Sequence, residues 1–300
     1  MYFVCLNRGK VPHTYEEAVA IQVEIQDDFD LDKIASCGQC FRVRKDGSGR
    51  FRFITGDKVI DIRALGEGQY AISCDSRDWQ EVWWDYFDLG RNYAGLRKRA
   101  GKRQKDCFIA RAMECGCGLR VLRQDPWEML ATFIISQRKN IPAISRAVEL
   151  LAQRYGHPIA ADAEKADAIE PIQSFPTPEE LAHTSEADLR DCGLGYRAAY
   201  VRDAVDRVLS GELDLNAISA YEDEKLFQEL MKVHGVGKKV ADCVCLFGYS
   251  RSSRAPVDVW IDRAIQEECG GKNPFPDYGE DAGIIQQYIF YYQKHRSVFT

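Results

Sequence analysis

Two lysines and one aspartate carry the most chemistry in this chain. Lys238 and Lys239 stand side by side at the start of a helical stretch, and Asp258 follows nineteen residues after Lys239. Helical periodicity separates the lysines. Lys238 lies one turn before Asp242, a pairing that suits a solvated face, whereas Lys239 lies one turn before Cys243, a small and mostly apolar partner that suits a pocket wall. Lys239 is also in the first turn, where the positive end of the helix dipole disfavours another cation. Partial burial acts in the same direction, towards a neutral amine able to add to an electrophilic carbon. Asp258 falls within Arg254-Ala255-Pro256-Val257-Asp258-Val259-Trp260, a carboxylate in an apolar, Pro-started segment. Taken singly, a surface lysine and a helix-capping aspartate are equally open readings.

The element that must position these groups is Met231–Phe247. An apolar helical run (Leu226, Leu230, Met231, Val233) stops at His234-Gly235-Val236-Gly237, and a second helix begins at once. The two glycines let the backbone turn through φ > 0 with no Cβ in the way. They leave bare N–H groups at the turn and at the next helix's N-terminus, where a phosphate can sit. A helix–hairpin–helix of this kind grips a nucleic-acid backbone without reading its sequence. Alone, a short glycine turn more often just connects two helices.

Gly-Val-Gly-Lys-Lys-Val-Ala-Asp-Cys followed by Pro-Val-Asp-Val resembles the helix–hairpin–helix DNA glycosylases, and among them the 8-oxoguanine DNA glycosylases. The resemblance implies an α+β protein, with an N-terminal antiparallel sheet domain (residues 1–117) and an all-helical glycosylase domain (118–300, hairpin at 231–247). It implies that Lys239 forms a Schiff base with the sugar and that Asp258 stabilises positive charge there or helps to deprotonate Lys239. Cys37-Gly38-Gln39-Cys40-Phe41-Arg42 is similar to the family's Gly-Gln-x-Phe-Arg segment, in which the glycine carbonyl accepts a hydrogen bond from the N7–H of 8-oxoguanine. Without the family, Gly38 reads equally well as an ordinary turn glycine. By the same resemblance Cys243 and Phe290 take the two faces of the flipped base, Gln286 takes its Watson–Crick edge, and Pro256 lines the pocket. Tyr196 wedges beside the estranged base and Arg197 meets the orphaned cytosine. His234, Gly235, Val236, Gly237 and Lys238 bind the strand backbone. The carbonyls of Met231, Val233 and Val236 are a candidate cation site. No cofactor, and in particular no iron–sulfur cluster, is implied. The expected partner is double-stranded DNA containing 8-oxoguanine, bound by a monomer with no membrane contact.

Composition is compatible with this. The chain has 300 residues, 45% hydrophobic and 29% charged, and no apolar run of membrane-spanning length. Its N-terminus shows no basic-then-apolar leader, so the expectation is an intracellular protein, cytoplasmic in a bacterium and nuclear in a eukaryote. The net charge of −6 argues mildly against a nucleic-acid partner. A basic block (Arg97, Lys98, Arg99, Lys102, Arg103, Lys105, Arg111) and an acidic one (Glu24, Asp27, Asp28, Asp30, Asp32) redistribute that charge; a solvated helix face is the leading reading of the basic block. Eleven cysteines include Cys37-x-x-Cys40, but no second such pair or paired histidine accompanies it, so reduced thiols rather than a metal site are expected.

Taken in order, residues 1–75 read mainly as β, with strands at 51–54, 58–63 and 69–74. Residues 79–117 turn helical and aromatic. Asp125 caps and Pro126 opens a helix over Trp127–Ser136. A polar loop, Ser136–Pro142, precedes a helix over Ala143–Tyr155. Pro171–Pro178 is an extended connector, Thr177 an N-cap, and Cys192–Ala198 a second Gly-rich junction. Near the C-terminus, a helix over 282–290 sets Gln286 and Phe290 one turn apart, by default a surface Gln and a core Phe. The chain departs from the resemblance at two points. Arg138 stands where the family's plugging asparagine belongs, leaving Asn140 as the loop's asparagine, and Ala143 stands where the family has a second cytosine-contacting arginine. Weak discrimination of the base opposite the lesion is therefore expected. A monofunctional glycosylase for alkylated or mismatched bases, needing Asp258 but not Lys239, is the alternative among enzymes. A non-catalytic hairpin module is the alternative among binding proteins.

Overall fold

The computed structural model describes residues 21–101, 108–159 and 172–299. Alternating apolar residues build a five-stranded antiparallel sheet from β1 (Ile21–Glu24), β2 (Arg44–Lys45), β3 (Phe51–Thr55), β4 (Lys58–Gly66) and β5 (Gln69–Ile72), ordered β1-β5-β4-β3-β2. Phe51, Phe53, Ile60, Ile62, Tyr70 and Ile72 point to one buried face, as a period of two requires. On the other face Arg52 donates to Asp61 across the β3–β4 pair at 2.7 Å. Asp30 caps α1 (Leu31–Ser36) by accepting from Lys33 N. The buried face is closed by α2 (Ser76–Asp78), a π-helical turn (Trp79–Trp83) and α3 (Trp84–Tyr86), which deliver Trp83, Tyr86 and Phe87. β1 and β2 go beyond the three strands expected; β2 has only two residues and exists through its pairing with β3.

The remaining helices are α4 (Tyr93–Gly101), α5 (Phe108–Cys115), α6 (Pro126–Ser136), α7 (Ile141–Tyr155), α8 (Glu186–Asp191), α9 (Arg197–Leu209), α10 (Asp223–Leu230), α11 (Lys238–Gly248), α12 (Val259–Glu268) and α13 (Ala282–Phe299). They share a second core in which α6 and α11 are buried along most of their length. Asp125 caps α6 as expected, accepting from Glu128 N at 2.7 Å. Tyr93, Leu96, Phe108 and Ile109 of α4 and α5 belong to this helical core rather than to the core of the sheet. Thr177 and Glu180 cap one another reciprocally, but turns rather than a helix follow them.

The acidic and basic blocks meet at Arg97 and Asp28, and their other described members pair mostly elsewhere, Arg99 with Asp281, Arg111 with Glu268 and Asp32 with Lys45. Arg97 forks onto Asp28 at 2.5 and 2.9 Å, and the fully buried Arg120 reaches Asp27 at 3.0 Å. Lys102, Arg103, Lys105 and Pro171 lie outside the described residues. His157 joins the β3–β4 turn to the helical part, 2.7 Å from Asp57 and 2.8 Å from Glu180, and the Glu180 and Asp57 carboxylates hold its pKa above the usual range. Among the described residues no helix is long and apolar enough to cross a membrane.

Candidate active site and nucleic-acid interface

α11 puts its two lysines where periodicity predicts. Lys238 is exposed and Lys239 half-buried, its Nζ 4.9 Å above the Phe133 ring of α6. Phe133 is stacked on Phe247 at 5.4 Å and takes the edge of Phe41 at 6.0 Å, so the floor beneath the amine is aromatic and closed. Cys243, one turn on, is buried. Burial pushes its thiol up to about 11 against the pull of Lys239, while Asp258 adds to the push. Lys239, Cys243 and Asp258 therefore share one corner. Asp258 caps α12, with Oδ1 accepting from Trp260 N at 3.0 Å and Ile261 N at 2.9 Å. It is half-buried and follows the buried Pro256, so the capping and catalytic readings apply to the same carboxylate.

The expected Lys238–Asp242 pair gives way to a tertiary one. Arg254 takes Asp242 at 2.8 and 2.9 Å and lies 4.0 Å over the Phe227 ring. Burial still holds the Asp242 carboxyl above its usual range. A half-buried carboxylate selects the planar, stackable guanidinium over a solvated ammonium.

The hairpin corrects a second expectation. Gly235 has φ +81 and a Cβ there would stand 2.3 Å from the Tyr200 ring, so it needs to be glycine on both counts. Gly237 has φ −99 and ψ −179, ordinary extended backbone at the N-cap of α11, with no atom within 4 Å of a Cβ. The turn is braced from outside: Gln137 Nε2 donates to Gly235 O at 3.0 Å, His234 N to Asp203 at 2.9 Å, and Tyr200 meets the His234 ring at 4.7 Å. Val236 is buried and its N–H occupies the Val233 carbonyl, one of the three candidate cation ligands besides Met231 O and Val236 O. Among the described residues no group of three or more His, Cys, Asp or Glu side chains is placed to hold a metal, and the nine described cysteines are free thiols.

Residues far apart in sequence meet at Gly38. It has φ +77, and a Cβ there would lie 3.1 Å from the Phe290 ring and 3.3 Å from Ile141 Cδ1. Lys294 Nζ donates to Ser36 O at 2.8 Å, tying α13 to this segment again. Gln286 is buried, not on the surface, and accepts from Gln287 Nε2 at 2.8 Å; Phe290 is the half-exposed member of the pair. α13 is enclosed along 282–289, so default polarity fails there.

The loop after α6 carries the remaining candidates. Asn140 is exposed and its side chain caps α7, accepting from Ala143 N at 2.9 Å. α7 accordingly starts two residues earlier than the expected Ala143. Arg138 is exposed with φ +52, a left-handed conformation uncommon outside glycine and asparagine. Arg197 is buried, donating to Gln137 O at 2.7 Å and Leu194 O at 3.2 Å and stacking 4.4 Å from the Tyr196 ring. Tyr196 is 48% exposed and rests edge-on against Tyr200 at 5.7 Å. Arg197–Tyr196–Tyr200–His234 thus runs unbroken from the Gly-rich junction to the hairpin. Gln39, Phe133, Gln137 and Tyr200 play parts that the sequence did not single out. Only Gln39, inside the Gly38 segment, carried a signal.

Comparison with known proteins identifies the family. Residues 20–130 match the family model for the 8-oxoguanine DNA glycosylase N-terminal domain, and residues 131–279 match that for HhH-GPD superfamily base excision DNA repair proteins. The chain is 37% identical over 164 residues to the N-glycosylase/DNA lyase of Saccharomyces cerevisiae, covering 50% of this chain and 42% of that protein. It is 30% identical over 216 residues to a probable N-glycosylase/DNA lyase of Methanothermobacter thermautotrophicus, covering 62% of this chain and 67% of that protein. The Clostridium acetobutylicum 8-oxoguanine glycosylase/lyase, solved with duplex DNA containing cytosine opposite 8-oxoguanine, superposes with a TM-score of 0.84 at 31% identity, over 93% of this chain and 97% of that one.

Proposed function

Because the chain belongs to the HhH-GPD superfamily of base excision DNA repair proteins, within its 8-oxoguanine glycosylases, we propose that it excises 8-oxoguanine from duplex DNA and nicks the strand at the resulting site. A base inside a duplex cannot be attacked at its sugar, so the nucleotide is extruded into the protein. Backbone contacts at Gly235, Gly237 and Lys238 hold the duplex, and their strength falls as salt rises. The base enters between Cys243 and Phe290, with Gly38 and Gln286 at its edges.

The C1′–N bond then breaks and the base leaves with a proton, while Asp258 stabilises the positive charge left on the sugar. Lys239 Nζ bonds to C1′, the sugar ring opens, and the product is a protonated Schiff base. Loss of a C2′ proton and departure of the 3′ phosphate nick the strand, and water releases the lysine. The aromatic floor of Phe133 covers one side of the half-buried amine.

The observation that carries this reading is the common corner of Lys239, Cys243 and Asp258, reached from the first domain by Phe41 through Phe133. The test is borohydride trapping on an 8-oxoguanine duplex. Lys239→Gln should abolish the covalent adduct and the nick while leaving lesion binding largely intact, and Lys238→Gln should still trap. An adduct that survives Lys239→Gln and disappears in Lys238→Gln would refute the assignment.

A further inference from the structure

Gly38 alone has no side chain with which to fix its own carbonyl, and its backbone lies in the left-handed region. What holds it is its neighbour. Gln39 is fully buried, and both ends of its amide are used. Nε2 donates to Arg120 O at 2.6 Å and to Cys37 Sγ at 2.8 Å, and Oε1 accepts from Leu122 N at 2.7 Å. The Cys37 thiol in turn donates to Ile34 O at 3.1 Å, so α1, Cys37 and Gln39 form one strap around Gly38. The Gln39 carbonyl accepts from Gln124 Nε2 at 2.9 Å, and Gln124 N donates to Phe247 O at 2.8 Å in the last turn of α11. That is the helix carrying Lys239.

A buried amide is retained only where its partners are in place, and losing it strands their donors and acceptors. Here the partners are the backbone of residues 120–122, itself pinned by the buried Arg120 to Asp28 O at 2.7 Å and Asp88 O at 2.7 Å. The segment bearing Gly38 is therefore referenced to rigid backbone on one side and to α11 on the other. We propose that Gln39 is a positioning residue that sets the Gly38–Gln39 peptide in register with Lys239, so that reading the base is coupled to chemistry at the sugar. This rests on the reading given under Proposed function. Gln39 does not touch the amine, so it should matter to base excision and not to the lyase step.

Two substrates separate these. An 8-oxoguanine duplex requires the base to be read, whereas a duplex with a pre-formed abasic site requires only Lys239 and its surroundings. Gln39→Met, close in size but without the amide, should slow single-turnover base excision by about tenfold or more, the worth of one or two net hydrogen bonds. Abasic-site nicking should stay within about twofold, and that retained nicking also reports that the hairpin helix is folded. If Gln39→Met does not fold, Gln124→Met cuts only the tie to the Gln39 carbonyl and should change the same ratio in the same direction. Equal loss in both assays would mean that Gln39 is merely structural and would overturn the proposal; so would no loss in either. Failure of the wild-type enzyme to excise 8-oxoguanine, with nicking present, would overturn the substrate reading and this inference together. Normal wild-type excision with an unimpaired Gln39→Met would overturn this inference alone.

Discussion

Gly235 and Gly237 are two residues apart in one motif, yet alanine should destabilise the fold at the first and leave it nearly unchanged at the second. At Gly235 the added methyl meets Tyr200 Cδ2 at 2.3 Å, Cγ at 2.4 Å and Cε2 at 2.7 Å. That ring is held between Tyr196 at 5.7 Å and His234 at 4.7 Å, so it cannot give way cheaply. Left-handed backbone costs a non-glycine residue about 1–2 kcal/mol, and overpacking a well-filled site about 1–3 kcal/mol more. Gly235→Ala should therefore lose roughly 2–5 kcal/mol, or about 3–8 °C in Tm if the chain melts as one unit. At Gly237 the backbone already suits alanine and the space is open. The gain from a stiffer unfolded chain and the loss of a glycine cap nearly cancel, leaving a change within about 0.5 kcal/mol. Thermal melting of both variants, paired with duplex titration at fixed salt, checks this. Gly237→Ala should bind an undamaged duplex more weakly at unchanged Tm, because the methyl would crowd the phosphate contact proposed at the helix N-terminus. Equal Tm losses in the two variants, or a neutral Gly235→Ala, would refute the reasoning.

Further outcomes follow from other residues. Burial pushes the Glu128 carboxyl from its ordinary 4.5 up to about 7 while Arg42 pulls it down. A folded pKa above the unfolded one means stability is full below pH 4.5 and is lost as pH rises through 7. Glu128→Gln should therefore raise Tm above pH 7, by the equivalent of about 3 kcal/mol, and change it little near pH 5; a pH-independent gain would contradict this. Trp260, 42% exposed two residues after Asp258, is the most accessible of five tryptophans. An abasic-analogue duplex should shield it from acrylamide quenching, and unchanged quenching would place the strand elsewhere. With Ala143 and Arg138 where the family pattern has donors for cytosine, single-turnover excision should favour cytosine opposite the lesion by less than about a hundredfold. A larger preference would mean that another residue supplies the missing contact.

Local rules carried the reading where the relevant partners were near in sequence. That Lys238 is exposed and Lys239 half-buried follows from helical spacing, and the cap at Asp125 from residue types. Tertiary partners were invisible. Asp242 was given to Lys238, four residues away, because Arg254 approaches across a turn that no local pattern encodes. For Gln286, polarity alone makes a surface position the default and only the family resemblance points into a pocket; the enclosure of α13 buries it. Gly237 was credited with a left-handed role because motif glycines look alike in sequence; only the backbone distinguishes the one that needs φ > 0. Arg197 is engaged by the carbonyls of residues 137 and 194, a buried arrangement that composition cannot reveal. β2 escaped notice because two residues carry no periodicity.

The contact between Gly38 and Phe290 is also a matter of folding topology. Lys294 of α13 and Ser36 are 258 positions apart in sequence, yet they hydrogen-bond beside the Gly38–Phe290 contact. Contacts of such long range pay loop-closure entropy before they return any stability. Local rules can build the turn at Gly38 and the helix at 282–299 separately, but neither makes the shared wall by itself. In the reading proposed above, a chain whose α13 was undocked would lose the surface against which a purine is tested.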